Sequence, residues 1–154
     1  MKSRNNVKPQ RVACVNKVKG KWVYRFAFSP VDGGWEYEEV MMNHEPTDED
    51  KRMVRDSYYN AMIRKKIEEG WTWNGINVWL SVENQLNIRS VLDELRLTGV
   101  AMLPVTMKLG EDAGGRALYY KFESMEEIEQ FYAGMTCWIR RCLTEGWAMK
   151  DGEE

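Results

Sequence analysis

Between Trp22 and Met42 apolar and polar residues alternate on either side of an Asp32-Gly33 pair, and this stretch constrains the fold most tightly. Trp22, Tyr24, Phe26 and Phe28 recur with a period of two, which places them on one face of a strand. Pro30 to Gly34 reads as a turn with Asp32-Gly33 at its tip. Trp35 and Tyr37, and after a slip Val40 and Met42, carry the alternation along the return strand. Upstream, Val12, Cys14 and Val18 alternate more loosely before a turn at Lys19-Gly20-Lys21. The chain up to Met42 is therefore predicted to be a three-stranded antiparallel meander. Residues 1–10, basic and polar and ending near Pro9, are predicted to be a flexible tail.

Beyond Met42 the period changes from two to that of a helix. Thr47 reads as an N-cap with Asp50 three residues on, a variant of the capping box. Asp48, Glu49 and Asp50 crowd a first turn whose dipole favours them. The apolar face is assigned to Val54, Tyr58, Ala61 and Met62 with the stem of Lys65, and Gly70 is predicted to end the helix in the left-handed conformation. Asn74-Gly75, flanked by Trp71-Thr72-Trp73 and by Ile76 to Leu80, is the strongest short signal for a type I′ hairpin. Trp71, Trp73 and Trp79 are predicted to meet across it. Ser81 caps a second helix to about Leu97, with Leu86, Ile88, Val91, Leu92 and Leu95 as core candidates, closed by Thr98-Gly99. A strand over Met102 to Leu109, entered through Pro104 and so placed at an edge, is followed by a Gly114-Gly115 loop and a strand over Ala117 to Phe122. Ser124 and Glu127 form a capping box for the last helix, whose face is Ile128, Phe131, Tyr132, Met135, Trp138, Ile139 and Cys142. Gly146 is predicted to end it, with Trp147 folding back and 150–154 as a polar tail. The two Glu-Gly-Trp triplets, at 69–71 and 145–147, read as convergent C-caps.

The predicted class is α+β: an N-terminal meander, a linking helix, and a β-hairpin–helix–ββ–helix unit. A meander with its tail over 1–45 and an α+β unit over 46–154 can form one continuous domain. At 154 residues and 44% hydrophobic, the chain can bury roughly two-thirds of its unfolded surface. A net charge of -2 provides no global field to draw in nucleic acid or an anionic membrane. No run approaches the roughly 20 apolar residues of a membrane span, and no apolar segment follows the basic N-terminus as in a signal peptide. Three cysteines without a C-x-x-C spacing fit a reducing compartment.

Seven Trp and ten Met are the unusual counts. Trp combines a large apolar area with one N–H donor and suits both half-buried core and interfaces, while Met adapts to irregular surfaces. Trp71, Trp73, Trp79, Trp35 and Trp147 are the interface candidates. Catalytic chemistry finds little support in the spacing. The single His44 lies in a loop without a ligand set around it, and Cys137 and Cys142 are predicted to be buried on the last helix. Phosphate-binding glycine patterns and nucleophile motifs do not occur. No catalytic residue, metal or cofactor is assigned, and the expectation is that the protein is not an enzyme. Lys17, Lys19, Lys21 and Arg25 interleave with Trp22, Tyr24 and Phe26, a pattern that can bind single strands. The simpler reading is a solvated face over a buried aromatic one, and no nucleic-acid partner is expected.

The order of features from Lys66 to Trp147 resembles an uncharacterised domain family found at the C-terminal ends of phage tail-fibre and related tail proteins. The stretch that carries the likeness is Trp73-Asn-Gly-Ile-Asn-Val-Trp-Leu-Ser81. A polar helix with Asn84, Gln85, Asn87 and Arg89, a strand pair with a Gly turn, and a helix with Phe131-Tyr132 and Cys137 follow it. After Cys142 the chain reads Leu-Thr-Glu-Gly-Trp, where the family carries a histidine. The resemblance covers about half the chain. It implies a phage virion structural protein, a fibre or head or tail appendage in an attachment or adaptor role. Such a protein would be made in the bacterial host cytoplasm and located in the virion, act through contacts with other virion proteins, and be a homo-oligomer. The alternative is a cytoplasmic regulatory or anti-defence binding protein of a phage or bacterium.

Overall fold

The computed structural model describes residues 1–152. The elements in order are β1 (Lys2–Asn5), β2 (Val12–Asn16), β3 (Lys21–Val31), β4 (Gly34–Met42), α1 (Asp48–Glu69), β5 (Trp71–Trp73), β6 (Ile76–Val78), α2 (Val82–Thr98), a 3-10 turn (Val100–Met102), β7 (Val105–Glu111), β8 (Ala117–Phe122) and α3 (Met125–Asp151). The class is α+β, with antiparallel strands throughout. The chain divides into two compact units, Met1–Asn60 with the stretch from Ala148 onward, and Ala61–Trp147. The boundaries fall inside α1 and α3. Among the described residues no helix is long and apolar enough to cross a membrane.

The first unit contains the expected meander, extended to four strands in the order β1-β4-β3-β2. The fourth strand corrects the reading of residues 1–10 as a flexible tail, because Lys2 to Asn5 pair with Glu38 to Trp35. Ion pairs accompany this backbone pairing: the N-terminal amine lies 3.2 Å from Glu38 and Lys2 lies 2.6 Å from Glu36. Ser3 Oγ donates to Glu39 Oε1 at 2.8 Å. A short polar edge strand has no apolar alternation to announce it. On β3, Val23, Tyr24 and Phe26 are buried. A bulge between Phe26 and Ser29 and a positive φ of 52° at Ala27 interrupt the alternation before Phe28. Pro30 belongs to β3, opposite Trp35, so the turn is Asp32-Gly33 alone.

The N-terminus of α1 is built as its sequence indicates. Asp50 N–H donates to Thr47 Oγ1 at 3.2 Å, and Thr47 N–H donates to Asp50 Oδ2 at 2.8 Å. The buried side chains of α1 are Tyr59, Ile63 and Ile67. This corrects the assigned face: Tyr58 and Met62 are half-buried and Ala61 is exposed. Rows 58/62 and 59/63/67 share the same i, i+4 spacing, and local periodicity does not choose between them.

In the second unit the Asn74-Gly75 hairpin forms with φ of 46° and 80°, the positive pair that a type I′ turn requires. Its register sets Trp71 opposite Val78 and Trp73 opposite Ile76. The core gathers Val78, Leu80, Ile88, Leu92, Leu95, Leu109, Phe122, Ile128, Phe131 and Cys142, with Ile63 and Ile67 from α1. Phe131 sits at its aromatic centre, with ring centroids 5.2 Å from Trp71, 5.3 Å from Trp73 and 5.0 Å from Phe122. Leu86, a core candidate, is 60% exposed. Two positions before Ile88 is about 200° around a helix, so both cannot face one core.

The last helix shows the largest departure. α3 runs through Gly146 to Asp151, and Trp147 continues it, 53% exposed. Of the expected polar tail, Lys150 and Asp151 complete α3, and 153–154 lie outside the described residues. Gly146 is a packing glycine: a Cβ there would lie 2.2 Å from Ile63 Cγ1 and 2.4 Å from Ile63 Cδ1. Gly70 does end α1, but without a positive φ. Its Cβ would lie 2.6 Å from both Trp138 Cζ2 and the Lys66 carbonyl oxygen. The paired Glu-Gly-Trp triplets are thus not two C-caps. At both, glycine is set by a side chain from another helix.

Candidate functional site

The site begins with the hairpin turn, because its register fixes which way each tryptophan faces. Opposed residues share a face of an antiparallel pair, and neighbours along a strand alternate. Trp71 and Trp73 therefore face the core, and Trp79, one residue past β6, faces away from it. The backbone of Trp79 is held on both sides. Its N–H donates to the Leu109 carbonyl at 2.8 Å, and its own carbonyl accepts from Asn84 Nδ2 at 2.8 Å. Leu80, next along, donates to the Glu68 carbonyl at 3.0 Å and accepts from Gln85 Nε2 at 2.8 Å. The first turn of α2 thus reaches back through two amide side chains to the β6–α2 link. Ser81 caps the helix, with Asn84 N–H donating to its Oγ at 3.2 Å.

This pinning leaves the Trp79 side chain 41% exposed in a groove between α2 and β7. One part, of about 480 Å³, is lined by Trp79, Ser81, Glu83, Asn84, Lys108 and Glu111, with Gly110 on its wall. A second part, of about 280 Å³, shares Trp79, Asn84 and Lys108 and adds Asn87, Ile88, Val91, Met107 and Leu109. The floor of the second part is apolar, and the rim of both carries amides and charges, the composition of recognition sites in general. Lys108 and Glu111 pair at 2.6 Å on the rim, and the carboxylate raises the lysine above its ordinary pKa. Gly110 is required where β6 and β7 come close, since a Cβ there would lie 2.4 Å from the Asn77 carbonyl oxygen.

The five candidate tryptophans do not form one surface. Trp71 and Trp73 pack on the second unit's core, and Gly134 of α3 makes room for Trp71, whose Cζ2 would lie 2.9 Å from a Cβ at 134. Trp79 lies in the groove rather than meeting them across the hairpin. Trp35, in the first unit, is half-buried beneath the Lys8 ammonium, 4.7 Å from its ring centroid. Trp147 is exposed on α3. The groove residues that sequence reasoning did not single out as a site are Asn84, Asn87, Lys108 and Glu111. The i, i+3 spacing of Asn84 and Asn87 places them on one face of α2, but only the fold brings β7 alongside.

Other chemically active groups have structural partners. His44 Nε2 lies 3.0 Å from Asp50 Oδ2. Cys142 is buried, which pushes its thiol above the ordinary value, whereas Cys137 is exposed, a correction to its expected burial. Tyr120 donates to Glu127 Oε1 and accepts from Asn74 Nδ2 at 2.8 Å, and the neighbouring carboxylate raises the phenol. Tyr24 and Phe26 stack with ring centroids 5.4 Å apart inside the first unit, out of reach of a nucleic-acid base, and Arg25 pairs with Glu39 at 3.3 Å. Among the described residues no group of three His, Cys, Asp or Glu side chains is placed to hold a metal ion. No protein-family model, curated protein or solved structure matches the chain.

Proposed function

We propose that this protein works by binding another protein, and that the groove beside Trp79 is its docking site. The observation that carries the proposal is the outward-facing indole of Trp79. A large apolar ring stands in a cleft with an apolar floor, its backbone held by the Leu109 carbonyl on one side and the Asn84 side-chain amide on the other. Rigid aromatic anchors ringed by polar groups are the usual centres of binding energy at interfaces. The more specific role is that of a phage virion structural protein, a fibre or appendage in an attachment or adaptor role. It is supported by the resemblance of Trp73 to Ser81, the stretch that builds one wall of this groove. In that role the chain resides in the virion as a homo-oligomer or docked on another virion protein.

Two measurements test the proposal. Mass spectrometry of purified virions of the source phage should find the chain in multiple copies, and its absence would remove the virion role. Trp79→Ser should then prevent incorporation while lowering the thermal midpoint of the isolated protein far less than a core truncation does. Normal incorporation of Trp79→Ser would place the contact elsewhere on the surface.

A further inference from the structure

β7 is paired on one side only. β8 covers one edge, and the other edge meets β6 near its C-terminal end, where Trp79 N–H reaches the Leu109 carbonyl and Gly110 abuts Asn77. Gly110 lies between the two contacts, its Cβ position 2.4 Å from the Asn77 carbonyl oxygen and 3.6 Å from Trp79 N. The chain then leaves the sheet at Leu80 and Ser81 to begin α2. Beyond that departure the Val105–Lys108 edge of β7 has no neighbouring strand among the described residues. The groove lies along this edge, with Asn84, Asn87 and Val91 of α2 on its far side and Met107 and Leu109 in its floor.

From this juxtaposition we propose that the groove binds an extended peptide segment of a partner protein, added as a strand to the free edge of β7. This rests on the reading of the groove as a protein-docking site and names how the partner is held. Strand addition satisfies main-chain donors and acceptors of both chains, and alternate side chains of the ligand enter the cleft. The apolar floor and the Trp79 ring select apolar residues at every second position. Charge selects at the α2 end: Lys108 is matched by Glu111, while Glu83 of the lining makes no ion pair among the described residues. A cationic side chain at that end of the peptide completes the match.

The test starts from a displayed random-peptide library selected on the intact chain, with Trp79→Ser as the counter-selection. Enriched peptides should show apolar residues at alternate positions and a Lys or Arg at one end. Hydrogen exchange should show added protection of amides within Val105–Lys108 when the peptide binds. A peptide N-methylated at alternate backbone positions should bind about tenfold weaker or worse, the loss of one or two hydrogen bonds. Peptides that bind in the groove but tolerate every N-methylation would overturn strand addition and leave the docking site standing. Failure to enrich any Trp79-dependent peptide overturns the inference. Self-association abolished by Trp79→Ser, seen by light scattering, overturns it in favour of a second copy as occupant.

Discussion

Asp50 shows how much a single carboxylate organises at the start of α1. It accepts from the hydroxyl and the backbone N–H of Thr47, at 2.6 Å and 2.8 Å, and lies 3.0 Å from His44. Those bonds, Thr47's first, lower its pKa from 3.8 to about 2. Glu145 is held in the same way by Arg141 at 2.8 Å and Lys66 at 2.6 Å, which lower it from 4.5 to about 2. Both groups bind protons less tightly when folded than when unfolded. Their contribution is therefore full above about pH 4–5 and is lost as the pH falls through about 2. Carbon-detected titration of the two carboxyls should show both midpoints well below the ordinary range. Arg141→Ala should move Glu145 upward while leaving Asp50 in place. Thr47→Ala should cost about 1 kcal/mol of unfolding free energy, the usual loss of an N-cap, read by denaturant titration. The Thr47 to Asp50 pairing was legible in the sequence because a cap is a local device. The Lys66–Glu145 contact was not, since 79 positions separate its partners.

Glycine marks the limits of local reading among the elements. Gly146 lies inside a 27-residue helix, where alanine would be the better helix former by about 1 kcal/mol. The Ile63 side chain, 2.2 Å from where a Cβ would stand, reverses that preference, because overpacking costs about 1–3 kcal/mol. Gly146→Ala should thus destabilise the protein in denaturant titrations. Combined with Ile63→Ala, which removes the clashing atoms, its cost should largely vanish, a coupling that a double-mutant cycle measures. Sequence reasoning predicted a stop at Gly146 because glycine after an apolar-periodic run is the common C-cap signal. A packing glycine gives the same one-letter evidence. The strand β1 was missed for the complementary reason: its pairing depends on Glu36, Glu38 and Glu39, more than thirty positions away.

For the molecule as a whole, the tryptophans divide between stability and recognition. Trp71 and Trp73 hold Phe131, which is fully buried. Phe131→Ala should cost about 3–5 kcal/mol and lower the thermal midpoint sharply. Trp79→Ser should lower that midpoint far less and remove partner binding. A Trp79→Ser variant as unstable as Phe131→Ala would return Trp79 to the core and leave the groove without its anchor.

The α+β class, the meander, the Asn74-Gly75 hairpin, and the caps at Thr47, Ser81 and Ser124 are all legible in the chain as written. Each is written within a few residues, in a side-chain period, a positive-φ pair, or an oxygen set before a first turn. Long-range packing settles where α3 runs, which row of α1 is buried, that residues 2–5 form a strand, and that Trp79 stands apart from Trp71 and Trp73 in a groove with β7. Those outcomes depend on pairs distant in the chain, where close approach, charge pairing and the course of the chain after Leu80 select among options that local spacing leaves equal.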